Sequence, residues 1–409
     1  MRDADAIPPH PRHEDIRELV RRELPALVAL RRDLHAHPEV GYEEVRTSGI
    51  VRDALRDAGV RHEGGLAGGT GVLASIPGSG PRAVALRADM DALPIVERSD
   101  RPWKSRIDGR MHACGHDGHT AILVGAARVL AALAARAPLP RPVTLVFQPA
   151  EEGGAGGQRM VQDGALDGSR LGPAVEEAFA LHGWPELPLG TVATRAGAIM
   201  AASDRFEVHV EGRGAHAAWP HRSADPVVCA AAIVTALQSV VARNVDPLDA
   251  AVVSVTAIEG GAAFNVIPER VSLRGTYRSL SESTRSLIER RISEVAAGVA
   301  AAHGCSARAE LHRNYPVTVN DAGAVARFEA VARATLGAER VGHLAAPVMG
   351  GEDFAFYLEK VPGCMFVLGL LPPGQDSMPA LHHPAFDFND DAIAVGVELF
   401  CRLALDPAA

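Results

Sequence analysis

Three short apolar runs in this chain each end in residues that bear chemistry, and that pattern restricts the fold more than any other feature. Residues 83–87 lead into Asp89-Met90-Asp91, residues 143–147 into Gln148-Pro149-Ala150-Glu151-Glu152-Gly153-Gly154, and residues 179–182 close on His182. Apolar runs of this length read as buried strands. An alanine-rich helix over residues 120–135 separates the first two. Strands alternating with helices, with polar groups at strand ends, predict an α/β sheet whose ligands gather outside the strands' carboxyl ends. Residues 70–76 and 83–87 read as a hairpin of buried strands.

Elsewhere the periodicity is helical. Ile16, Leu19, Val20, Leu27, Leu30 and Leu34 mark a helix over residues 13–34, with Pro25 as a kink or a restart. A second helix spans residues 43–58 and closes on Gly59. After Met200 the pattern changes. Strands are expected at 205–211, 251–258, 270–277 and 307–315, with helices at 225–243, opened by Asp225-Pro226, and 281–303, stopped by Gly304. That order, βαββαβ, is the ferredoxin-like α+β arrangement. It predicts an inserted domain over residues 201–316 between two parts of a main domain, 13–200 and 317–409. The main domain resumes with a helix at 322–336, a strand at 364–368 and a last helix at 391–405.

Composition removes several classes of function. A chain of 409 residues with 47% hydrophobic residues can build two domains with full cores. A net charge of −9 without a basic block makes nucleic acid and anionic membranes poor partners. No uninterrupted apolar run is expected to span a bilayer. Residues 1–14 are polar and lack the apolar core of a signal peptide. Cys114, Cys229, Cys305, Cys364 and Cys401 are odd in number and scattered, unlike a disulfide framework. A cysteine that ligates metal needs a reducing compartment, so the expectation is a cytoplasmic protein.

Residues 111–120 read Met-His-Ala-Cys-Gly-His-Asp-Gly-His-Thr, between an extended region and the alanine-rich helix. Thiolate and imidazole are ligands that zinc prefers, and Gly115 lets Cys114 and His116 converge on one point. Glu151-Glu152 sits at a strand end, where adjacent carboxylates repel. One can anchor a cation while the other takes a proton from water as general base; a solvated acidic turn is the alternative, disfavoured by Gly153, Gly154, Gly156 and Gly157. His182, and either His382 or His383, complete five or six nitrogen, sulfur and oxygen donors. That is enough for two metal ions sharing a ligand and a water, and too many for one tetrahedral site. A deaminase signature, His-Glu-x-x-His and a phosphate loop are all absent from the sequence.

The chain resembles the M20 metallopeptidase-like amidohydrolases, in the branch of aminoacylases, hippurate hydrolases and auxin-conjugate hydrolases. The resemblance is carried by Arg32-Asp33-Leu34-His35-Ala36-His37-Pro38-Glu39, Leu86-Arg87-Ala88-Asp89-Met90-Asp91-Ala92-Leu93-Pro94 and residues 111–120. Phe147-Gln148-Pro149-Ala150-Glu151-Glu152-Gly153, Gly214-Ala215-His216-Ala217-Ala218, Phe264-Asn265-Val266-Ile267-Pro268 and Gly350-Gly351-Glu352-Asp353-Phe354 also match. It implies an α/β di-metal catalytic domain with a central mixed sheet flanked by helices, and an inserted lid and dimerisation domain. It implies two divalent ions per subunit, zinc foremost with manganese, cobalt or nickel as alternatives, held by Cys114, His116, Glu152, His182 and His382. Glu151 falls on the catalytic base, and Asp91 is expected to orient a ligand imidazole. His216 would stabilise the oxyanion, reaching a neighbouring subunit's site in a homodimer. Asn265, Arg274 and Gly350 would contact substrate, with a strand-surface ion pair as the alternative for Arg274.

The implied reaction is cleavage of the amide in an N-acyl amino acid, such as an N-acetyl or N-benzoyl conjugate. A dipeptidase or carboxypeptidase would share the metal donors, and a metal-dependent binding protein with a dead site is the rival from another class.

Overall fold

The computed structural model describes residues 13–406. It divides into two units, Met1–Gly197 with Val319–Ala345 and Asp353–Ala409, and Ala198–Thr318 with Ala346–Glu352. The first unit opens with α1 (His13–Ala36), α2 (Val45–Asp57), β1 (Arg61–Leu66), β2 (Gly71–Ile76) and β3 (Ala83–Asp89). It continues through α3 (His116–Ala134), β4 (Val143–Gln148), α4 (Gly156–Gln162), β5 (Val175–Pro188) and β6 (Val192–Thr194). Next come β7 (Gly197–Met200), β8 (Ala202–Glu211), β9 (Ala215–His216), α5 (Pro226–Asn244), β10 (Ala251–Gly260) and β11 (Val266–Ile267). They are followed by β12 (Arg270–Ser279), α6 (Glu282–Ala302), β13 (Ser306–Tyr315) and β14 (Thr318–Asn320). The chain ends with α7 (Ala322–Leu336), β15 (Val341–His343), α8 (Ala355–Leu358), β16 (Gly363–Leu371) and α9 (Ala392–Leu405).

The first unit is built on an eight-stranded mixed sheet in the order β1-β2-β4-β3-β5-β16-β6-β15. β3 runs parallel to both β4 and β5, and β16 is parallel to β5. The expected hairpin of β2 with β3 is not formed. β4 lies between them, antiparallel to β2 and parallel to β3. The reason is that α3 links β3 to β4 as a crossover, which parallel neighbours require. Both strands are buried along their whole length, so their apolar pattern carries no information about which strand lies beside them.

Register fixes the place of the chemistry. Asp89 is level with Gln148 on β4, and Arg87 pairs with Ala180 on β5, so His182 lies level with Asp89. The carboxyl ends of β3 and β4, and His182 on β5, therefore meet along one line. His182 is not at a strand tip as expected. β5 runs on to Pro188, and Trp184 still pairs with Gly369 of β16.

α1, α3 and α9 pack together over the sheet, with Leu27, Leu130, Val397 and Phe400 fully enclosed. α1 does not restart at Pro25; Leu19 and Val20 before it and Leu27 and Leu34 after it bury one apolar stripe. α2 ends at Asp57 with Ala58 as its C-cap, and Gly59 takes the left-handed conformation (φ 67°) that stops it. Both α3 and α5, 19 residues each, are long and apolar enough by length and composition to cross a membrane. Neither is an uninterrupted apolar run, since α3 carries His116, Asp117, His119 and Arg128 and α5 carries Thr235, Gln238 and Ser239. For α3 the physical account is enclosure, since almost every side chain faces α1, α9 or the sheet.

The second unit has its own core. Its four-stranded antiparallel sheet has the order β10-β12-β8-β13, with chain order β8-α5-β10-β12-α6-β13. β8 and β12 alternate buried and open positions, and Phe206, Val208, Val210, Leu273 and Tyr277 meet Ile233, Leu237, Ile288 and Ile292 of the two helices. Asp225 caps α5, accepting from Val227 N at 2.8 Å, and Ser281 caps α6.

Candidate active site

The turn into α3 is shaped by close approach. Gly115 adopts φ 92°, and a Cβ there would lie 3.0 Å from the Phe388 ring; one on Gly118 would lie 2.5 Å from the same ring. With no side chain at either position, Phe388 presses on the start of α3 and Cys114 and His116 turn inward, both buried. His182 donates from Nδ1 to its neighbour Gly183 O at 2.8 Å. Its Nε2 then presents a lone pair 3.4 Å from Cys114 Sγ.

His116 is oriented in the same manner. Its Nδ1 lies 2.9 Å from Asp91 O and 3.2 Å from Asp91 Oδ1. Asp91 Oδ2 accepts from Glu152 N at 2.9 Å, so this carboxylate fixes both the imidazole and the acidic turn. His116 Nε2 is buried without a hydrogen-bond partner, and Asp89 Oδ2 is 3.6 Å away. A buried imidazole nitrogen with no partner is costly unless a ligand completes it.

The remaining donors converge from β4 and the last loop. Glu152 Oε1 lies 3.1 Å from His382 Nε2. His382 has φ 65°, and its backbone N donates to Ala113 O at 2.8 Å, beside Cys114. Between the two neighbouring histidines the geometry is unequal, for His383 Nδ1 accepts from Ala385 N at 3.1 Å within its own loop. Glu151 is buried and its Oε1 accepts from Asp353 N at 3.4 Å. Three of the donor sets whose atoms lie mutually within 4.8 Å overlap here: Cys114, His116 and His182; Cys114, Glu152 and His382; and His116, Glu151 and Glu152. Asp89, His116 and His119 form another such set. Thiol, imidazole and carboxylate in shared groups match a borderline divalent cation, and the open Nε2 of His116 is where such a cation would fit.

The electrostatics agree with that fit. Burial, then Glu152 and Glu151, push the Cys114 thiol well above the usual thiol range. Burial pushes His182 down to about 3. His116 goes the other way: burial opposes its charge, but Asp89, Asp91 and Glu152 outweigh it and push it up to about 10. Burial raises Glu152, and the His382 hydrogen bond and His116 charge more than reverse that, holding it below the usual carboxylate range. A site that retains protons on sulfur and nitrogen amid carboxylates releases them to a cation.

Sequence reasoning missed the supports. His119 lies one helical turn from His116; its Nδ1 is 2.7 Å from Asp89 Oδ1 and its Nε2 accepts from Gly183 N at 2.8 Å. Both nitrogens are used, so His119 ties α3 to β3 and β5. The i, i+3 spacing of the two histidines is the signal that places them on one face. Arg87, fully buried, contacts Asp89 Oδ2 at 2.6 Å and Asp353 Oδ1 at 2.8 Å.

Four expected site residues belong to the second unit. His216 is exposed on the β9–β11 ribbon opposite Val266, with its ring centroid 5.0 Å from that of Trp219. Asn265 is exposed and its carbonyl accepts from Ala217 N at 3.0 Å. Arg274 forms an ion pair with Glu259 across β12 and β10, the alternative weighed for it. Gly350 O accepts from Ala201 N at 2.9 Å.

Residues 85–406 match the model of peptidase family M20/M25/M40. The chain belongs to this family. It is 39% identical over 381 residues to the N-acetylcysteine deacetylase of Bacillus subtilis (strain 168), covering 93% of this chain and 96% of the relative. It is 41% identical over 383 residues to the IAA-amino acid hydrolase ILR1-like 2 of Arabidopsis thaliana, covering 93% and 84%. Among solved structures, the YXEP protein of Bacillus subtilis, a dinuclear metal-binding peptidase of family M20, superposes with a TM-score of 0.80 at 34% identity, over 94% of this chain and 98% of that one. A putative aminohydrolase from methicillin-resistant Staphylococcus aureus gives a TM-score of 0.88 at 29% identity, over 97% and 100%. The M20 chain described here is thus a metal-dependent amidohydrolase, a hydrolase acting on amide bonds.

Proposed function

We propose that this M20 enzyme hydrolyses the amide of N-acyl amino acids, with Glu151 as general base and Cys114, His116, Glu152, His182 and His382 as the donors for two divalent ions, zinc foremost. The observation that carries the reading is the adjacency of Glu151 to the donor sets: it shares one with His116 and Glu152, yet is absent from both sets that contain Cys114. When bound, the ions supply Lewis-acid polarisation and bring a water's pKa toward neutrality. Glu151 removes the proton of the attacking water and returns it to the departing amine. Asp91 keeps the His116 ring and the Glu152 backbone in register, since it bonds both.

His216 donates to the developing oxyanion in this proposal, from the neighbouring subunit of a homodimer. A ferredoxin-like second unit suits that role. β10 is an edge strand with one ladder partner, and Val227 and Val228 leave an apolar face on α5 open, which a second copy would cover. Asn265 and Gly350 contact substrate. The buried thiol donor favours a reducing, cytoplasmic setting.

Substrate class follows from the relatives, whose names carry an acetylated cysteine and an IAA–amino acid conjugate. The test is turnover of metal-reconstituted protein on N-acetyl and N-benzoyl amino acids beside unblocked dipeptides. Preference for the acylated set is expected. Preference for free dipeptides would overturn the substrate assignment, and inertness toward both would overturn the catalytic one.

A further inference from the structure

One heavily paired buried cation beside the site is not used by the reaction. Arg31 of α1 has no solvent exposure. Its Nε lies 2.8 Å from Asp117 Oδ2, its Nη2 contacts Asp387 Oδ1, and its Nη1 is 3.4 Å from Asp390 Oδ1. Nη2 is also 3.3 Å from His35 Nδ1, which is itself 2.8 Å from Asp117 Oδ2. These partners come from two places in the chain that matter. Asp117 follows His116 in the first turn of α3, and Asp387 and Asp390 lie in the loop that brings in His382.

Burying a guanidinium and its carboxylates gains little stability over an apolar cluster of the same volume. What it does supply is direction. A planar fork with five fixed donors can hold carboxylates from separate segments at set angles, which an ammonium or an alkyl chain cannot. The loop touches the start of α3 at two further points, the Phe388 ring against Gly118 and His382 N on Ala113 O. Arg31 adds a charge contact on that turn: its Nε lies 2.8 Å from Asp117 Oδ2 but is not hydrogen-bonded to it, and His35 Nδ1 lies 2.8 Å from the same oxygen.

We propose that Arg31 is a positioning residue that sets the distance between two halves of the donor cluster, Cys114 and His116 on the α3 turn and His382 on the loop. It rests on the metal reading above and adds a residue that touches neither ion nor substrate.

The test is cobalt(II) titration of the metal-free full chain, followed by its visible spectrum, for wild type, Arg31→Lys, Arg31→Met and Leu27→Ala. Leu27 is buried one turn earlier on the same helix and controls for lost stability. Arg31→Met is expected to weaken the looser cobalt ion by roughly 10- to 100-fold, with a changed d–d spectrum, and Arg31→Lys to fall between it and wild type. Leu27→Ala should melt earlier while its cobalt affinity and spectrum stay those of wild type, because the change leaves the ligands and their partners in place. Should Arg31→Met not fold, Asp387→Asn removes the charge that meets Arg31, Trp103 Nε1 at 3.2 Å and Arg101 Nε at 3.1 Å, and is expected to weaken cobalt several-fold, with Arg101→Met as the control that keeps the Arg31 contact. Normal cobalt uptake by wild type, with Arg31→Met or Asp387→Asn indistinguishable from it, overturns the positioning role alone. Failure of wild type to take up cobalt overturns the metal reading, and this proposal with it.

Discussion

The first unit's site and the second unit's candidate residues are built in opposite ways. Cys114, His116 and His182 are buried, with the second ring nitrogen of His116 held by Asp91 and that of His182 by Gly183 O, while His382 at the edge of the cluster is half exposed. Around His216 and Asn265 the surface is open: Phe264 is fully exposed, Trp219 is half exposed, and the His216 ring accepts from Ala218 N, two residues on, at 3.1 Å. Rigid, enclosed donors suit groups that must keep one geometry through a reaction. Open, loosely held ones suit groups that acquire their geometry from a ligand or a second subunit. The difference separates residues that already hold their geometry in one chain from those that would acquire it from a second subunit or a substrate.

The largest expected effect is on the enclosed side. Glu151→Gln should lower kcat by roughly 10²- to 10⁴-fold, the usual contribution of a positioned base, with metal content by elemental analysis unchanged. Near-normal turnover would remove Glu151 from the role. Next comes His216→Ala, expected to lower kcat by about 10²-fold while leaving metal content and melting temperature as in wild type. Mixing it with Glu151→Gln should restore part of the activity if the histidine serves a neighbouring site; no recovery would place it in its own subunit or outside the reaction. Asn265→Ala is a gentler probe, raising KM by about tenfold or less with kcat little changed, as loss of uniform binding does. A selective fall in kcat would move it among the groups that act in the transition state.

The smallest effect concerns the ties beneath the site. Burial opposes charge on His35, but Asp117 and Glu97 outweigh it and push its pKa up to about 9. A folded pKa above the ordinary value of about 6.5 means the charged ring stabilises the fold fully below that value. The contribution is lost as pH rises through about 9. Metal-free wild type should therefore lose on the order of 1–3 kcal/mol in urea unfolding between pH 6.5 and 9.5, and His35→Gln should lose less. An identical decline in both would exclude His35 as its source.

These contrasts also mark what could be read from the sequence. Most helices and strands lie where apolar period and capping residues place them, as with Asp225 and Ser281 at the starts of α5 and α6. Strand neighbours could not be read, because β2 and β3 are equally apolar and their partners depend on where a helix crosses. The donors stood out since thiols, imidazoles and paired acids at glycine-rich strand ends have little structural use. The ties did not. Arg31 and Arg32 are neighbours of one type on one helix, yet one side chain is 0% exposed and the other 41%. Only the third dimension distinguishes them.

The central claim is that Cys114 and its buried partners hold metal, and cobalt substitution tests it most directly, because a thiolate ligand gives an intense near-ultraviolet charge-transfer band. Wild type should develop that band in step with cobalt bound, and Cys114→Ser should lack it while losing occupancy. Cobalt uptake with no such band in wild type, or an identical band in Cys114→Ser, would contradict the account.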